Sequence, residues 1–239
     1  MLSVIDAANS PSRDIGLKFR SPRSGPELEL VDTLVKRTHV EEAQNYQVTI
    51  FREPKIAGGF PDLVIVIWDS LVADSWNSAR AELDSNDFKL MHYLSVDRPV
   101  SKEHLRTLPF KSLDRSLDKL ERAEMVEQVF DEWIARPYSC TFAAKHIVAV
   151  EAKMSNAWAA LEQATKNIWF ASCSCVVMPK LPRDEELMHR AASIGVSFFA
   201  ESDGGFFDHH PLVCDEDFAP LSYVSWLFND WAWRLHQKA

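Results

Sequence analysis

Asp62, Glu151 and Lys153 have side chains and spacing suited to chemistry on an anionic substrate. Carboxylate oxygens are the hard ligands that Mg²⁺ and Mn²⁺ prefer, and a bound metal lowers the pKa of a coordinated water. A neighbouring ammonium group stabilises negative charge that develops during a reaction. The three residues therefore predict metal-assisted hydrolysis, provided that the fold brings them together.

Both acids adjoin segments that are typical of buried β-strands. The segments GGFPDLVIVI at 58–67 and HIVAVEAK at 146–153 are mostly apolar and β-branched, with polar groups at one end. Glu151 and Lys153 are two positions apart, so on a strand their side chains share a face while Ala152 points to the other. An ion pair at the ends of surface strands is the structural alternative to a reactive site.

Pro61 and Asp62, followed much later by Glu151, Ala152 and Lys153, form a pattern that resembles the PD-(D/E)xK nuclease superfamily. The resemblance implies an α/β fold, with a restriction-endonuclease-like mixed-sheet core flanked by helices. It also implies that Asp62, Glu151 and the backbone carbonyl of Ala152 hold Mg²⁺ or Mn²⁺. Lys153 would orient the attacking water and stabilise developing negative charge.

Glu27 and Gln163 enter the expected site through the same resemblance. An acid from the first helix often joins the metal cluster in this superfamily, so Glu27 is a possible ligand, and a second metal would lie ~3.5–4 Å from the first. Part of the superfamily carries a helical Gln at the place of Gln163, although Asn167 replaces the Tyr of that variant. The alternatives are a helix-capping role for Glu27 and an ordinary surface position for Gln163.

Hydrophobic periodicity predicts the elements that would position these residues. Pro26 lies near the first turn of a helix, and the apolar stripe of that helix is Leu30, Val31, Leu34 and Val35. Strands are predicted over 46–52, 61–68, 173–179 and 195–201, and helices after Lys153 and over 183–193. Together they predict a mixed α/β core.

The long separation between Asp62 and Glu151 predicts an insertion, because ordinary connections are much shorter. The predicted organisation is a flexible arm over 1–25, a discontinuous nuclease core over 26–78 and 138–239, and an inserted subdomain over 79–137. The arm is expected because residues 1–25 are rich in Ser, Pro, Arg and Gly without a period.

The insertion reads as three helices in an order that resembles winged helix-turn-helix domains, whose third helix enters the DNA major groove. Residues 126–136 fit either the β-hairpin of a wing or a further helix. A helical lid that binds protein or is purely structural is the alternative for the whole insertion. The polar side of the third helix supplies the predicted DNA-binding residues, which are Lys111, Ser112, Arg115, Lys119 and Arg122.

Composition bounds the partners and the compartment. The net charge of −9 argues against a nucleic-acid binder, although the acids are unevenly distributed along the chain. No apolar run is long enough for a membrane span and the first residues do not resemble a signal peptide, so a cytoplasmic protein without a membrane partner is expected. The cysteines form no CxxC pair and predict neither a zinc site nor a disulfide framework.

These features favour a Mg²⁺-dependent deoxyribonuclease, an endonuclease of restriction-like or of defence or mobile-element type that acts on double-stranded DNA. The alternatives are a catalytically silent or partner-dependent DNA-binding protein with the same fold, and a nuclease directed at RNA. An enzyme that cuts both strands needs one site for each strand, so a homodimer is predicted. A partner subunit is the other arrangement that the sequence leaves open. The Trp-rich segment 221–238 predicts either a core cap or the dimer seam.

Overall fold

The computed structural model describes residues 2–7, 16–38, 45–96, 99–201 and 219–237. The strands are β1 (Leu2–Ile5), β2 (Tyr46–Arg52), β3 (Leu63–Asp69), β4 (Val100–Ser101), β5 (Val126–Val129), β6 (Glu132–Ala135), β7 (Ala144–Ala152), β8 (Cys173–Met178) and β9 (Val196–Ala200). The helices are α1 (Pro26–Arg37), α2 (Ser70–Asp74), α3 (Ser85–Val96), α4 (Lys102–Thr107), α5 (Leu113–Arg122), α6 (Tyr138–Thr141), α7 (Ala157–Thr165), α8 (Glu185–Ser193) and α9 (Tyr223–His236), and Ser78–Glu82 form a 3₁₀ helix.

The chain forms two compact units. The first unit is Met1–Trp68 with Ala144–Phe218, and the second unit is Asp69–Ala143 with Ala219–Ala239. In the described residues the first unit holds a six-stranded sheet of order β1-β2-β3-β7-β8-β9. Strands β3 and β7 are antiparallel, whereas β7, β8 and β9 run parallel. The sheet is therefore mixed, as predicted.

Helices cover both faces of this sheet because successive strand residues point to opposite sides. On one face, the predicted apolar stripe of α1 is buried against residues that include Cys175 and Val177 of β8. On the other face, Val176 and Met178 of the same strand pack with apolar residues of α7 and α8. The prediction of an α/β core with a mixed sheet flanked by helices is confirmed.

The second unit contains, among its described residues, a small sheet of order β4-β6-β5 packed with helices. Ser101 caps α4, since its hydroxyl accepts a hydrogen bond from the His104 N–H at 3.2 Å. Residues 126–135 form an antiparallel hairpin and not a further helix. The helical spacing does not mark a buried stripe here, because Phe130 lies at the turn with a positive φ of 56° and is 93% exposed.

The predicted arm over 1–25 is wrong for its described ends. Leu2–Ile5 form a strand that pairs in parallel with β2, and Leu17 is 1% exposed. Phe19 forms an antiparallel bridge with Pro54. Composition predicted irregular structure for these segments, but a few apolar residues hold them against the rest of the first unit. Residues 8–15 of the predicted arm and residues 202–218 of the predicted core lie outside the described residues.

The second unit also differs from the predicted insertion over 79–137, because it extends over 69–143 and includes the C-terminal helix. Arg80 and Asp230 form a buried ion pair of 2.7 Å that joins these distant segments. The Trp-rich helix α9 packs against α3, and Trp226, Phe228, Trp231 and Trp233 are buried within the chain. These aromatic side chains therefore form core and are not available as the dimer seam. No helix in the described ranges has the length and hydropathy needed to cross a membrane.

Candidate active site

The start of β3 and the end of β7 bring two of the predicted catalytic acids together. Leu63 pairs with Val150 across the antiparallel ladder, so Asp62 and Glu151 lie at the same edge. The N–H of Ala152 donates a hydrogen bond of 2.8 Å to Oδ2 of Asp62. This bond joins the two sequence segments directly at the position where the sequence predicted a site.

Lys153 follows the end of β7 and is held by both its backbone and its side chain. Its N–H donates to the carbonyl of Val177 at 3.0 Å, which fixes the residue against β8. Its Nζ lies 3.2 Å from Oε2 of Glu27, in the first turn of α1. The structure therefore brings Glu27 to the predicted site, where it contacts the ammonium group of Lys153.

The carboxyl group of Glu151 is oriented by a residue after α7. Nδ2 of Asn167 donates a hydrogen bond of 2.9 Å to Oε1 of Glu151. Asn167 is 3% exposed and Glu151 is 6% exposed, so the bond is shielded from solvent. Gln163, one turn earlier, is exposed and lines the same cavity as Glu151.

The site opens into a cavity of about 420 Å³ in the first unit. Glu27, Asp62, Glu151, Lys153 and Gln163, the five residues predicted as catalytic, all line it. Among the described residues, its acidic lining is Glu27, Glu53, Asp62 and Glu151, and its basic lining is Arg20, Arg23, Arg52, Lys153 and Lys166. Acids and bases from distant parts of the chain therefore share one wall.

Burial, and to a smaller extent repulsion between acids, raises the pKa of three carboxyl groups of this cavity, those of Glu53, Asp62 and Glu151. Burial, followed by the nearby Asp62, raises the pKa of Glu151 to about 8. Burial also raises the pKa of Asp62, against the opposing effects of the Ala152 N–H and Lys153. Glu53 has a raised pKa for the same reasons, burial first and then the neighbouring Asp62. In each of the three, the loss of solvent outweighs the stabilisation that the neighbouring cations give to the ionised form.

Glu53 and Asn167 are site residues that sequence reasoning did not assign. Glu53 follows β2, has a positive φ of 50°, and donates its N–H to the carbonyl of Asp62 at 3.0 Å. Its carboxylate forms an ion pair with Arg20. The available signal was the short connection between the predicted strands 46–52 and 61–68, because such a connection favours a hairpin that carries the residue after β2 to the start of β3. Asn167 gave no comparable signal, because its contact with Glu151 depends on the turn after α7.

The donor set suits a hard divalent cation, although the described residues contain no group of three or more His, Cys, Asp or Glu arranged to hold a metal. Mg²⁺ is commonly bound by one or two carboxylates together with waters and substrate phosphates. Asp62 and Glu151 meet this requirement, and their raised pKa values show that a compensating positive charge would be favourable. Ala152, whose carbonyl was the third predicted ligand, lies between Glu151 and Lys153 with its side chain in the core.

The predicted DNA-binding residues of α5 have unequal environments. Lys111, Ser112 and Arg115 are exposed. Arg122 is exposed too, but pairs with Glu82 at 3.0 Å. The expectation for Lys119 is wrong, because it is 8% exposed and its Nζ contacts Asp87 at 2.8 Å. Lys119 is turned inwards because the buried carboxylate of Asp87 needs a cation.

The exposed surface of α5 and the residues before it is close to neutral. The exposed bases Lys111, Arg115 and Arg122 alternate with the exposed acids Asp114, Asp118 and Glu121. Asp114 forms an ion pair with Lys102 at 2.6 Å. Without Lys119, this helix presents less positive charge than the sequence predicted.

Comparisons of this chain with protein-family models, with curated proteins and with solved structures find no match.

Proposed function

We propose that this chain is a divalent-metal-dependent DNA endonuclease with a restriction-endonuclease-like core of the PD-(D/E)xK type. The observation that carries the proposal is the 2.8 Å hydrogen bond from Ala152 N–H to Asp62 Oδ2. It joins the Pro61–Asp62 segment to the Glu151–Lys153 segment, and it places two carboxyl groups and one ammonium group on a shared cavity. Buried acids with perturbed pKa values in a cleft are typical of functional sites.

Asp62 and Glu151 would hold Mg²⁺ or Mn²⁺, which supplies a water of lowered pKa and neutralises charge on phosphate oxygens. The chain's own contribution begins with the orientation of these acids. The Ala152 N–H fixes one oxygen of Asp62, and the Asn167 amide fixes one oxygen of Glu151. Each carboxyl group therefore keeps a second oxygen that these bonds do not use.

Lys153 would stabilise the negative charge that builds on phosphate oxygens as water adds to phosphorus. Its ion pair with Glu27 keeps the ammonium group at the cavity wall in the absence of substrate. Glu27 thus acts on Lys153 in this structure, and its role as a possible further metal ligand would require this contact to change. Gln163, which is exposed and lines the cavity, would contact the substrate or its water.

The order of elements in the second unit supports an inserted winged helix-turn-helix-like reader. A helix, a short strand, two helices and a hairpin follow one another as α3, β4, α4, α5, β5 and β6. In this proposal the hairpin of β5 and β6 would serve as the wing. The near-neutral surface of α5 gives DNA docking by this helix weaker support than the order of elements does.

The test is incubation of the purified chain with supercoiled plasmid, single-stranded DNA and RNA, with Mg²⁺, Mn²⁺ or EDTA. Lys153→Ala should abolish cleavage, whereas Lys180→Ala, which removes an exposed lysine outside the cavity, should preserve it. Metal-dependent cleavage that survives Asp62→Ala, Glu151→Ala and Lys153→Ala would place the active site elsewhere. The RNA arm separates a ribonuclease from the proposed deoxyribonuclease.

A DNA-binding protein that does not cut, or that cuts only with a partner subunit, is the second candidate. The pKa of Glu151 near 8 favours it, because the metal-free acid is largely protonated at neutral pH. Stable binding of intact DNA in Mg²⁺, without cleavage at pH 7 or pH 9, would support this candidate over the nuclease.

Cleavage of both strands of a duplex needs one such site for each strand, so we retain a homodimer as part of the proposal. The buried aromatic residues of α9 cannot form its interface. Light scattering at the concentration used for cleavage tests this point, and a monomer that still cuts both strands would exclude the dimer.

A further inference from the structure

The cations that line the cavity differ in whether an acid neutralises them. Arg20 pairs with Glu53, Lys153 with Glu27, and Arg52 with Asp32 at 2.6 Å. In the part of the chain that the structure describes, Arg23 and Lys166 form no ion pair with a carboxylate, and both are exposed. The cavity therefore combines buried acids with two unneutralised cations that remain open to solvent.

Arg23 is held near the cavity by an ordered segment and not by a free arm. Arg20 N–H donates to the Glu53 carbonyl at 3.0 Å, and Lys55 N–H donates to the Lys18 carbonyl at 2.8 Å. Arg23 follows this bridged segment and precedes α1, whose first turn has no side-chain cap at Gly25. The first turn of α1 also carries the acids Glu27 and Glu29, so the positive charge at this wall comes from Arg23 and not from the helix dipole.

Lys166 comes from a different part of the chain. It is the C-cap residue of α7, and its N–H donates to the carbonyl of Gln163 at 3.0 Å. The loop before β3 lies against it, since a Cβ on Gly58 would come within 3.4 Å of the Lys166 carbonyl oxygen. Lys166 is thus positioned by packed backbone on both sides.

We propose that Arg23 and Lys166 form a phosphate-binding rim that holds the nucleic-acid backbone beside the bond placed at Asp62 and Glu151. This proposal rests on the proposed nuclease function and deepens it by naming the residues that grip the substrate. Exposed cations bind phosphates by displacing condensed counterions, which requires no base contact. The rim therefore binds backbone without reading sequence, and it offsets the repulsion between the acids and an approaching phosphate.

The experiment measures binding of labelled single-stranded and double-stranded DNA, in EDTA, over a range of salt concentrations. The variant is R23A/K166A in the full chain. The matched control is K180A/R183A, which removes the same charge from exposed positions of the first unit outside the cavity. We expect the slope of log K against log salt to become less steep by about 2 in R23A/K166A and to stay at the wild-type value in the control.

The outcomes separate the rim from the nuclease proposal. Equal slopes for wild type and R23A/K166A, or equal losses in both double variants, would overturn the rim, even if Lys153-dependent cleavage stands. A selective loss of slope in R23A/K166A supports the rim, even if no cleavage is found. Absence of any DNA binding by the wild-type chain would also overturn the rim, and the plasmid assay then judges the nuclease separately. Thermal unfolding should be unchanged in both double variants, because the four side chains are exposed.

Discussion

The acids shielded from solvent in the two units differ in whether a cation pairs with them directly. In the second unit, Arg80 and Asp230 pair at 2.7 Å with side-chain exposures of 1% and 0%. Asp87 receives both the Lys119 ammonium group at 2.8 Å and the Ser116 hydroxyl at 2.6 Å. In the first unit, Asp62 and Glu151 lie close together, and burial raises the pKa of both. The two acids of the second unit are neutralised within the chain, whereas the two cavity acids lack a direct ion-pair partner among the described residues, as acids of functional sites often do.

The same comparison predicts that removing an acid changes the stability of the second unit more than that of the first. An acid in a matched pair leaves an unpaired buried cation when it is removed. Removing an acid from the cavity relieves the repulsion between carboxylates. We therefore expect the fold to tolerate the change and the loss to appear in activity.

The largest effect on activity is expected from Glu151→Gln. The variant keeps the shape of the side chain but removes the metal-binding charge, which is worth several kcal/mol in such sites, so cleavage should fall roughly a thousandfold. The melting temperature should not fall, because neutral Gln suits the buried site. Plasmid cleavage and thermal unfolding of one preparation measure both quantities. Normal cleavage by this variant would contradict a metal-binding role for Glu151. A loss of folding would contradict the expectation that the fold does not need its charge.

Asp230→Ala should instead damage the fold. Removing Asp230 leaves Arg80 buried without its carboxylate, and breaking a buried pair costs about 3–5 kcal/mol. Urea unfolding, followed by fluorescence of the buried Trp226 and its neighbours, measures this loss. The double variant Arg80→Met/Asp230→Leu is the control, since replacing both charges with apolar groups should recover much of the stability. Equal stability of wild type and Asp230→Ala would remove the contrast between the units.

Asn167→Ala tests the contact that orients Glu151. Loss of a residue that supports a metal ligand typically lowers affinity or activity by about 10- to 100-fold. We expect the loss to appear in Mg²⁺ affinity, measured by calorimetry, as well as in cleavage. Asn167→Gln is the control for the geometry of the bond, and Glu162→Ala, at an exposed position of α7 outside the cavity, is the control for local damage. Unchanged Mg²⁺ affinity in Asn167→Ala would show that the 2.9 Å bond serves folding alone.

The same charged residues show which features of the fold and the site could be predicted from the sequence. Hydrophobic periodicity predicted α1 and the strands around Asp62 and Glu151, because burial of alternate or helical stripes is encoded locally. The two acids were paired correctly because both adjoin apolar strands whose ends meet. Lys119 was assigned to DNA because its partner, Asp87, lies on another helix and local spacing does not reveal such pairs. The unit boundary was misplaced for the same reason, since Arg80 and Asp230 are far apart in sequence.

The pH dependence of metal binding distinguishes the cavity acids from ordinary surface carboxylates. The folded-state pKa of Glu151 is about 8, above its ordinary value of 4.5. The metal-free native state therefore retains a proton that the unfolded chain has lost, and its stability falls as pH rises from about 4.5 through about 8. Mg²⁺ needs the ionised form, so its affinity should rise by up to about tenfold per pH unit below pH 8.

Thermal unfolding at pH 6, 7, 8 and 9, with Mg²⁺ and with EDTA, measures this dependence. The stabilisation by Mg²⁺ should grow with pH and level off above about pH 8. Glu151→Gln should lose the stabilisation at every pH, and its metal-free stability should fall less as pH rises. A stabilisation in the wild type that does not change between pH 6 and pH 9 would show that Glu151 is not the group that releases the proton.

The smallest effect is expected where α5 carries both kinds of charge on one helix. Arg115 is exposed and has no acid partner among the ion pairs of the described residues, so Arg115→Ala should change the free energy of unfolding by no more than about 0.5 kcal/mol. If α5 docks on DNA, this variant lowers the salt slope of binding by about 1. Lys119→Met is the contrasting variant, because it leaves Asp87 without its ammonium partner and should destabilise the second unit. An unchanged slope in Arg115→Ala would remove α5 from the proposed DNA interface. The helix would then be structural, with its one buried cation paired with Asp87.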